Sequence, residues 1–251
     1  MIKIVTPLST LFQNKHKYDQ IISSTDFFEL RDRDLSFVDK KLVKFYHSEI
    51  QLNHPMYKEE IETIKKKLFI YDKIKYISFH IASNYSFPKI GKNKIFINGR
   101  KNLKRNEMIF NVKKNVKILK KNFPHIKIMV ENNNFYNTGA YKFITDPEFI
   151  SEVIYDNNIN LLFDISHAII TAHNKKITLN QYLRNLPMDK TLQLHVSRPI
   201  LRKNFYYDAH YLPKIDYFLR NLIKNHNIKF ITFEYYKNFK NLVRLNTIIN
   251  K

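Results

Sequence analysis

Residues 127–165 read KIMVENNNFYNTGAYKFITDPEFISEVIYDNNINLLFDI, and this stretch holds one complete strand–helix–strand unit. Short apolar runs at 127–132 and 160–165 predict two strands, and helical periodicity fills 147–156 between them. Asp146-Pro147 marks the helix start: a side-chain cap, then a ring whose missing N–H costs nothing in the first turn. Outward from this unit the alternation repeats. Further strands are predicted at 2–5, 27–31, 44–50, 75–81, 191–197 and 229–236, and further helices at 57–71, 102–123, 212–226 and 240–249. His54-Pro55 is a weaker start signal, because histidine is not a favoured cap. Eight strands alternating with helices predict an α/β fold, a single (β/α)8 barrel of the triosephosphate-isomerase type spanning 1–251. An open doubly wound sheet would carry fewer strands and a glycine-rich first turn. No linker, repeat or low-complexity tract divides the chain. The irregular segment 85–100 holds Gly91, Gly99 and Pro88, and its alternation at 94–98 predicts a hairpin over the barrel mouth.

Composition removes whole classes of chemistry. The 251 residues include no cysteine, which excludes disulfides, thiolate metal sites and a cysteine nucleophile. Three glycines cannot build a phosphate-cradling loop or a dinucleotide fingerprint. No apolar run approaches the roughly 20 residues of a membrane helix. The chain opens on a strand-like segment without a signal-peptide pattern, so a soluble cytoplasmic protein is expected. The net charge of +21 invites a polyanion partner. However, the chain is also crowded with Asn, Ile, Phe and Tyr, which together with Lys are the residues of A/T-rich codons, and codon bias alone makes such a chain basic. The lysines are spread along predicted helices, as at Lys65, Lys66, Lys67 and Lys120, Lys121, which fits a solvated outer face. Nucleic acid is therefore not the expected partner.

In a barrel of this type, functional groups sit at the C-terminal ends of the strands. Here those ends carry His47, His80, Glu131, Asp164, His195 and Glu234 in turn, with His167 just after Asp164. Asp208-Ala209-His210 falls in a predicted loop crossing the same face. Singly, each has a bland reading as a hydrogen-bonded core residue. Together they place five histidines and four carboxylates on one rim, where the predicted strands supply almost no positive partners. Carboxylates so crowded raise one another's pKa values unless cations neutralise them. Two or three metal ions are the economical solution. Imidazole plus carboxylate without sulfur suits zinc, iron or manganese. Glu131 and Asp164 are the expected bridging ligands, since a carboxylate can span two cations. His16, His125 and His226 read as surface residues, and His54 and His173 as mouth-proximal loop residues outside the ligand set.

The sequence resembles the multinuclear non-haem iron-dependent oxidases, the family of the methanobactin-biosynthesis oxidase. The residues that carry the resemblance are Val130-Glu131-Asn132-Asn133, Tyr136-x-Thr138-Gly139-Ala140-Tyr141, Leu161 through Ala168, Leu194-His195-Val196-Ser197, Asp208-Ala209-His210 with Pro213, and Phe233-Glu234-Tyr235-Tyr236. It covers about 47–236. After His80 it keeps Ser83 but has a basic segment where a Pro- and Leu-rich stretch is usual. The resemblance implies a xylose-isomerase-like barrel holding two or three irons of mixed Fe(II)/Fe(III) state, with zinc or manganese as lesser alternatives. The implied ligands are His47, His80, Glu131, Asp164, His167, His195, Asp208, His210 and Glu234. Glu131, Asp164 and His195 are the expected catalytic residues. It further implies O₂-dependent modification of cysteine in a ribosomally synthesised precursor peptide, often with a separate protein that presents the leader.

Endonuclease IV, a trinuclear zinc enzyme of the same fold and similar ligand order that cuts abasic DNA, is the main rival. Against it, His195-Val196-Ser197-Arg198-Pro199 lacks the Asn-Asp-Ser-Lys expected after that histidine, and Tyr235-Tyr236 replaces Thr-Pro. Sugar isomerases of this barrel type use fewer histidines. A module whose metals are purely structural is disfavoured, because structural sites are normally closed.

Overall fold

The computed structural model describes residues 2–12, 15–32 and 38–249. Its barrel strands are β1 (Lys3–Pro7), β2 (Phe27–Leu30), β3 (Val43–Gln51), β4 (Tyr76–His80), β5 (Lys127–Glu131), β6 (Asn160–Asp164), β7 (Thr191–Val196) and β8 (Phe230–Phe233). Each pairs in parallel with its sequence neighbours, and β8 returns to β1 to close the ring. All eight predicted strands are present, within two residues at most ends and three at the C-terminal end of β8.

The helices are α1 (Lys15–Ile22), α2 (Lys58–Ile70), α3 (Arg105–Asn122), α4 (Pro147–Asp156), α5 (Ile165–Asn174), α6 (Leu179–Arg184), α7 (Tyr217–Asn225) and α8 (Phe239–Ile248). Most bury one face against the outside of the barrel, whereas α5 is buried on nearly every side. On α3 that stripe is Met108, Val112, Val116 and Leu119, at helical spacing. Each such side chain contributes about 1.5–3 kcal/mol of burial. Asp146 stands at the start of α4, but its side chain does not cap the helix as expected; it pairs with Lys175 Nζ at 2.5 Å, a charged donor that outcompetes a backbone N–H.

Inside the barrel, chemistry changes along the strands in steps of two residues, the period at which strand side chains face the same way. The lower level is apolar: Val5, Phe45, Met129, Leu162, Leu192 and Phe230 pack with Phe27 and Tyr76. Its rings stack and abut, with Phe45 4.5 Å from Tyr76 and 4.8 Å from Phe230. Two residues on, these strands present Glu29, His47, Ser78, Glu131, Asp164 and Thr232; two further come Arg31, His80, Asn133 and Glu234. The barrel thus has an aromatic floor and a polar upper half.

Two antiparallel hairpins rise from the C-terminal end. The first, at 85–102, pairs Tyr85–Ser86 with Lys101–Asn102 and Lys89–Ile90 with Phe96–Asn98, as the sequence predicts. Gly99 is obligatory there, because a Cβ would lie 2.6 Å from Tyr85 Cβ and 2.7 Å from the Ser86 oxygen. The second hairpin, Arg198–Arg202 against Phe205–Tyr211, corrects the reading of 208–210 as loop: Asp208 and His210 sit on a strand. Its turn residues Lys203 and Asn204 both take positive φ (44° and 64°), the two-residue turn that matches strand twist.

Candidate metal centre

Strand register brings the polar groups together. His47 pairs with Ser78, His80 with Glu131, and Asp164 with His195 on adjacent strands. All nine predicted residues converge on the C-terminal mouth. His47, Glu131, Asp164, His167, His195 and Glu234 are buried, whereas His80, Asp208 and His210 are half-buried at its edge. Three overlapping groups could each hold a metal ion: His47, His80 and Glu131; Glu131, Asp164 and His167; Asp164, His195 and Glu234. Glu131 and Asp164 each belong to two groups, the arrangement a bridging carboxylate requires. Asp208 and His210 fall outside these three. Asp208 Oδ2 instead lies 3.8 Å from His167 Nε2 and 3.3 Å from His210 Nε2, and His210 Nδ1 lies 3.5 Å from Glu234 Oε2, so the pair borders the second and third groups.

Neighbouring groups fix the orientation of the imidazoles. His47 Nδ1 bonds Ser78 Oγ at 2.7 Å, leaving Nε2 directed at Glu131, 3.6 Å away. His167 Nδ1 donates to the Asn132 carbonyl at 2.8 Å, leaving Nε2 toward Asp208. Such bonds set which nitrogen is free for a metal. The Asp-x-x-His spacing has a local cause. Asp164 ends β6 and begins α5, and its Oδ1 accepts the His167 backbone N–H at 2.7 Å as a helix cap. Asn132 holds the same corner, donating to the Asp164 carbonyl at 3.0 Å and accepting from its N–H at 2.7 Å. The helix α5 starts with no turn residue after the strand, so the sequence pattern gave no boundary at which to place it.

Two participants lay outside the predicted set. Glu29 on β2 is completely buried, and its Oε2 lies 3.1 Å from His195 Nε2 and accepts from Gln193 Nε2 at 2.7 Å. Arg31, just past β2, places Nη2 2.8 Å from Glu29 Oε1 and bonds Glu234 Oε1. This overturns the expectation that the strands supply almost no positive partner. One guanidinium still faces five carboxylates: Glu29, Glu131, Asp164, Asp208 and Glu234. Among the described residues Asp164 Oδ2 and Asp208 Oδ1 are buried without a hydrogen-bond partner. Unsatisfied buried oxygens beside neutralisable imidazoles are the donor set of a cation site. Oxygen and nitrogen donors without sulfur fit iron, zinc or manganese.

The titrations of the metal-free chain follow from this crowding. Burial, reinforced by Glu234, Glu131 and Asp208 and only partly offset by His167, pushes the Asp164 carboxyl up to about 8. Burial would also raise Glu131, but the facing imidazole of His47 and hydrogen bonds from His195 and His80 hold it well below the carboxylate range. Burial lowers His195 and His167, yet Glu29 and Glu234 around the first, and Asp164 and Asp208 around the second, raise both well above an ordinary imidazole. Without metal, the acids are thus neutralised by a proton on Asp164 itself, by protons on His167 and His195, and by the Arg31 guanidinium.

Comparison with known proteins gives a consistent picture. The model of a family described as "RiPP precursor modification enzyme MbnB/TglH/ChrH" matches residues 103–247. A UPF0276 protein of Acaryochloris marina is 25% identical over 87 residues, 35% of this chain and 32% of that protein. A UPF0276 protein of Vibrio parahaemolyticus is 30% identical over 71 residues, 28% of this chain and 25% of that one. The matched stretch thus spans about a third or less of these relatives' length. Among solved structures, the 3-keto-D-glucoside 4-epimerase YcjR of E. coli superposes with a TM-score of 0.61 at 14% identity, covering 98% of this chain and 100% of that one. A D-psicose 3-epimerase gives a TM-score of 0.54 at 10% identity, covering 92% and 84%. At these identities the structures report the barrel fold alone.

Proposed function

The chain belongs to the family of RiPP precursor modification enzymes MbnB/TglH/ChrH, and on that premise we propose that it is a multinuclear iron-dependent oxidase that uses O₂ to modify cysteine in a ribosomally synthesised precursor peptide. The observation that carries this reading is the set of three overlapping His and carboxylate groups at an open barrel mouth, sharing Glu131 and Asp164. In this reading His47, His80, Glu131, Asp164, His167, His195, Asp208, His210 and Glu234 hold the ions, and a cysteine-bearing precursor is the substrate, presented by a separate leader-binding protein.

Bound iron supplies electron transfer to O₂ and a positive seat for a thiolate. The chain's own part is orientation and charge. The Asn132 carbonyl fixes the tautomer of His167 by accepting from its Nδ1–H, and Ser78 holds the ring of His47 in place. Glu29 grips His195 from behind, and Arg31 with Tyr236, whose hydroxyl lies 3.2 Å from Glu234 Oε1, anchors Glu234. Asp208 and His210, half-buried on the second hairpin with Asp208 Oδ2 3.3 Å from His210 Nε2, complete the ion-holding set at the outer edge of the mouth, on the side from which a peptide would approach.

Purification without oxygen, metal analysis and O₂ uptake test the proposal. Iron in excess over zinc, with O₂ consumed by a cysteine peptide and not by its serine twin, is expected. Tightly held zinc together with nicking of abasic DNA would instead establish the endonuclease-IV-like reading that the +21 charge invites.

A further inference from the structure

We propose that a cleft beside the candidate metal centre receives a lysine or arginine side chain of the precursor peptide, next to the residue being modified. The inference rests on the peptide-substrate reading above and adds a charge requirement to it.

The cleft encloses about 380 Å³ between the end of β3, the start of α2 and the first hairpin. In a chain of net charge +21, its charged lining among the described residues is acidic: Asp32, Glu49 and Glu60, with neither lysine nor arginine. Two of these acids have structural work. Asp32 accepts from the Tyr46 hydroxyl at 2.6 Å and from the Glu49 N–H at 3.1 Å, and Glu60 accepts the Tyr57 N–H at 2.7 Å. Glu49 does not: its side chain is 77% exposed, and its nearest ionic neighbour among the described residues is His80 Nε2, 3.9 Å away.

Two further features ask for the same ligand. Gln51 Oε1 is a buried acceptor without a hydrogen-bond partner among the described residues, and Gln51 lines the cleft. A buried acceptor left unpaired calls for a donor. Tyr57 and Phe87, half or more exposed, form an aromatic wall with ring centroids 6.4 Å apart, and ring faces attract cations. Phe87 is held at φ 48°, a conformation an aromatic residue adopts only when its surroundings impose it. Carboxylate, amide oxygen and ring faces complement an ammonium or guanidinium. The cleft also opens at the right place: Gln51 pairs with His80 across β3 and β4, so a peptide holding its cysteine at the metal centre lays an adjoining residue over Glu49.

The test uses short fluorescent peptides with serine in place of cysteine, one carrying arginine beside that position and its twin carrying glutamate. Binding to the full-length protein is followed by anisotropy at physiological salt. The overall field of the chain opposes the basic peptide, so its preference must arise locally. The wild type is expected to bind the arginine peptide about three- to fivefold more tightly, and Glu49→Lys to reverse the order while thermal unfolding stays unchanged. Equal binding of the twins, or an order that Glu49→Lys leaves intact, overturns the proposal. The arms contain no cysteine, so failure of the oxidase reading is seen separately, as absent O₂ uptake with a cysteine peptide that still binds by charge.

Discussion

Glu29 Oε2 lies 3.1 Å from His195 Nε2, while His195 Nδ1 lies 3.1 Å from Glu131 Oε1, so one buried imidazole is clamped between two carboxylates on opposite ring edges. The clamp fixes which nitrogen faces the centre of the mouth. Glu29→Gln keeps volume and weakens the clamp. Metal affinity should fall about tenfold, measured by competition with a chelator, with far-ultraviolet dichroism unchanged. Unaltered affinity would detach Glu29 from the site.

Arg31 is the protein's own cation among these acids. Arg31→Met leaves Glu29 and Glu234 buried without it, and the metal-free protein should lose about 3 kcal/mol, read from urea unfolding in chelator. The loss should shrink when metal is restored, because bound cations then neutralise the same oxygens. Equal losses in both forms would mean that Arg31 serves packing alone.

Glu131 belongs to two of the three ligand groups. Glu131→Gln removes charge without removing volume, so the barrel should fold while most metal is lost, as measured by elemental analysis. Full metal content with full activity would exclude Glu131 as a ligand.

The proton inventory gives a pH prediction with a definite sign. In the metal-free chain, Asp164 sits at about 8 and His167 and His195 are raised well above 6.5. The folded state therefore holds protons that the unfolded chain has already released, and this stability is lost as pH rises through the folded values. Glu29, Glu131 and Glu234, all lowered, are ionised in both states at these pH values. The melting temperature of chelator-treated protein should fall between about pH 7 and about pH 9. Metal uptake should release protons and tighten over the same interval, visible by calorimetry in buffers of different ionisation enthalpy. A melting temperature that rises with pH would contradict the assignment.

Much of this was legible in the chain, for physical reasons. Barrel strands buried on both faces read as apolar runs, so all eight were found, and the rule that chemistry gathers at strand ends located His47, His80, Glu131, Asp164, His195 and Glu234. What escaped lacked a local signal. Helix α5 follows β6 with Asp164 serving both, so no turn residue separates them. The second hairpin turns at Lys203-Asn204 without glycine, which left Asp208 and His210 assigned to a loop. Glu29 is a lone acid in a four-residue strand, indistinguishable by pattern from an outward-facing polar residue. Its role exists only once β2 closes against the ring, and the same is true of Arg31.

The abutting rings of Phe45, Tyr76 and Phe230 stop the lower end of the barrel like a cork. On the peptide-modifying reading proposed above, reactants and products share the doorway at the mouth, and a long polymer lying across it obstructs traffic in both directions. On that reading a small co-reactant enters before the peptide settles or through gaps beside it, and no second peptide is admitted until the finished one departs.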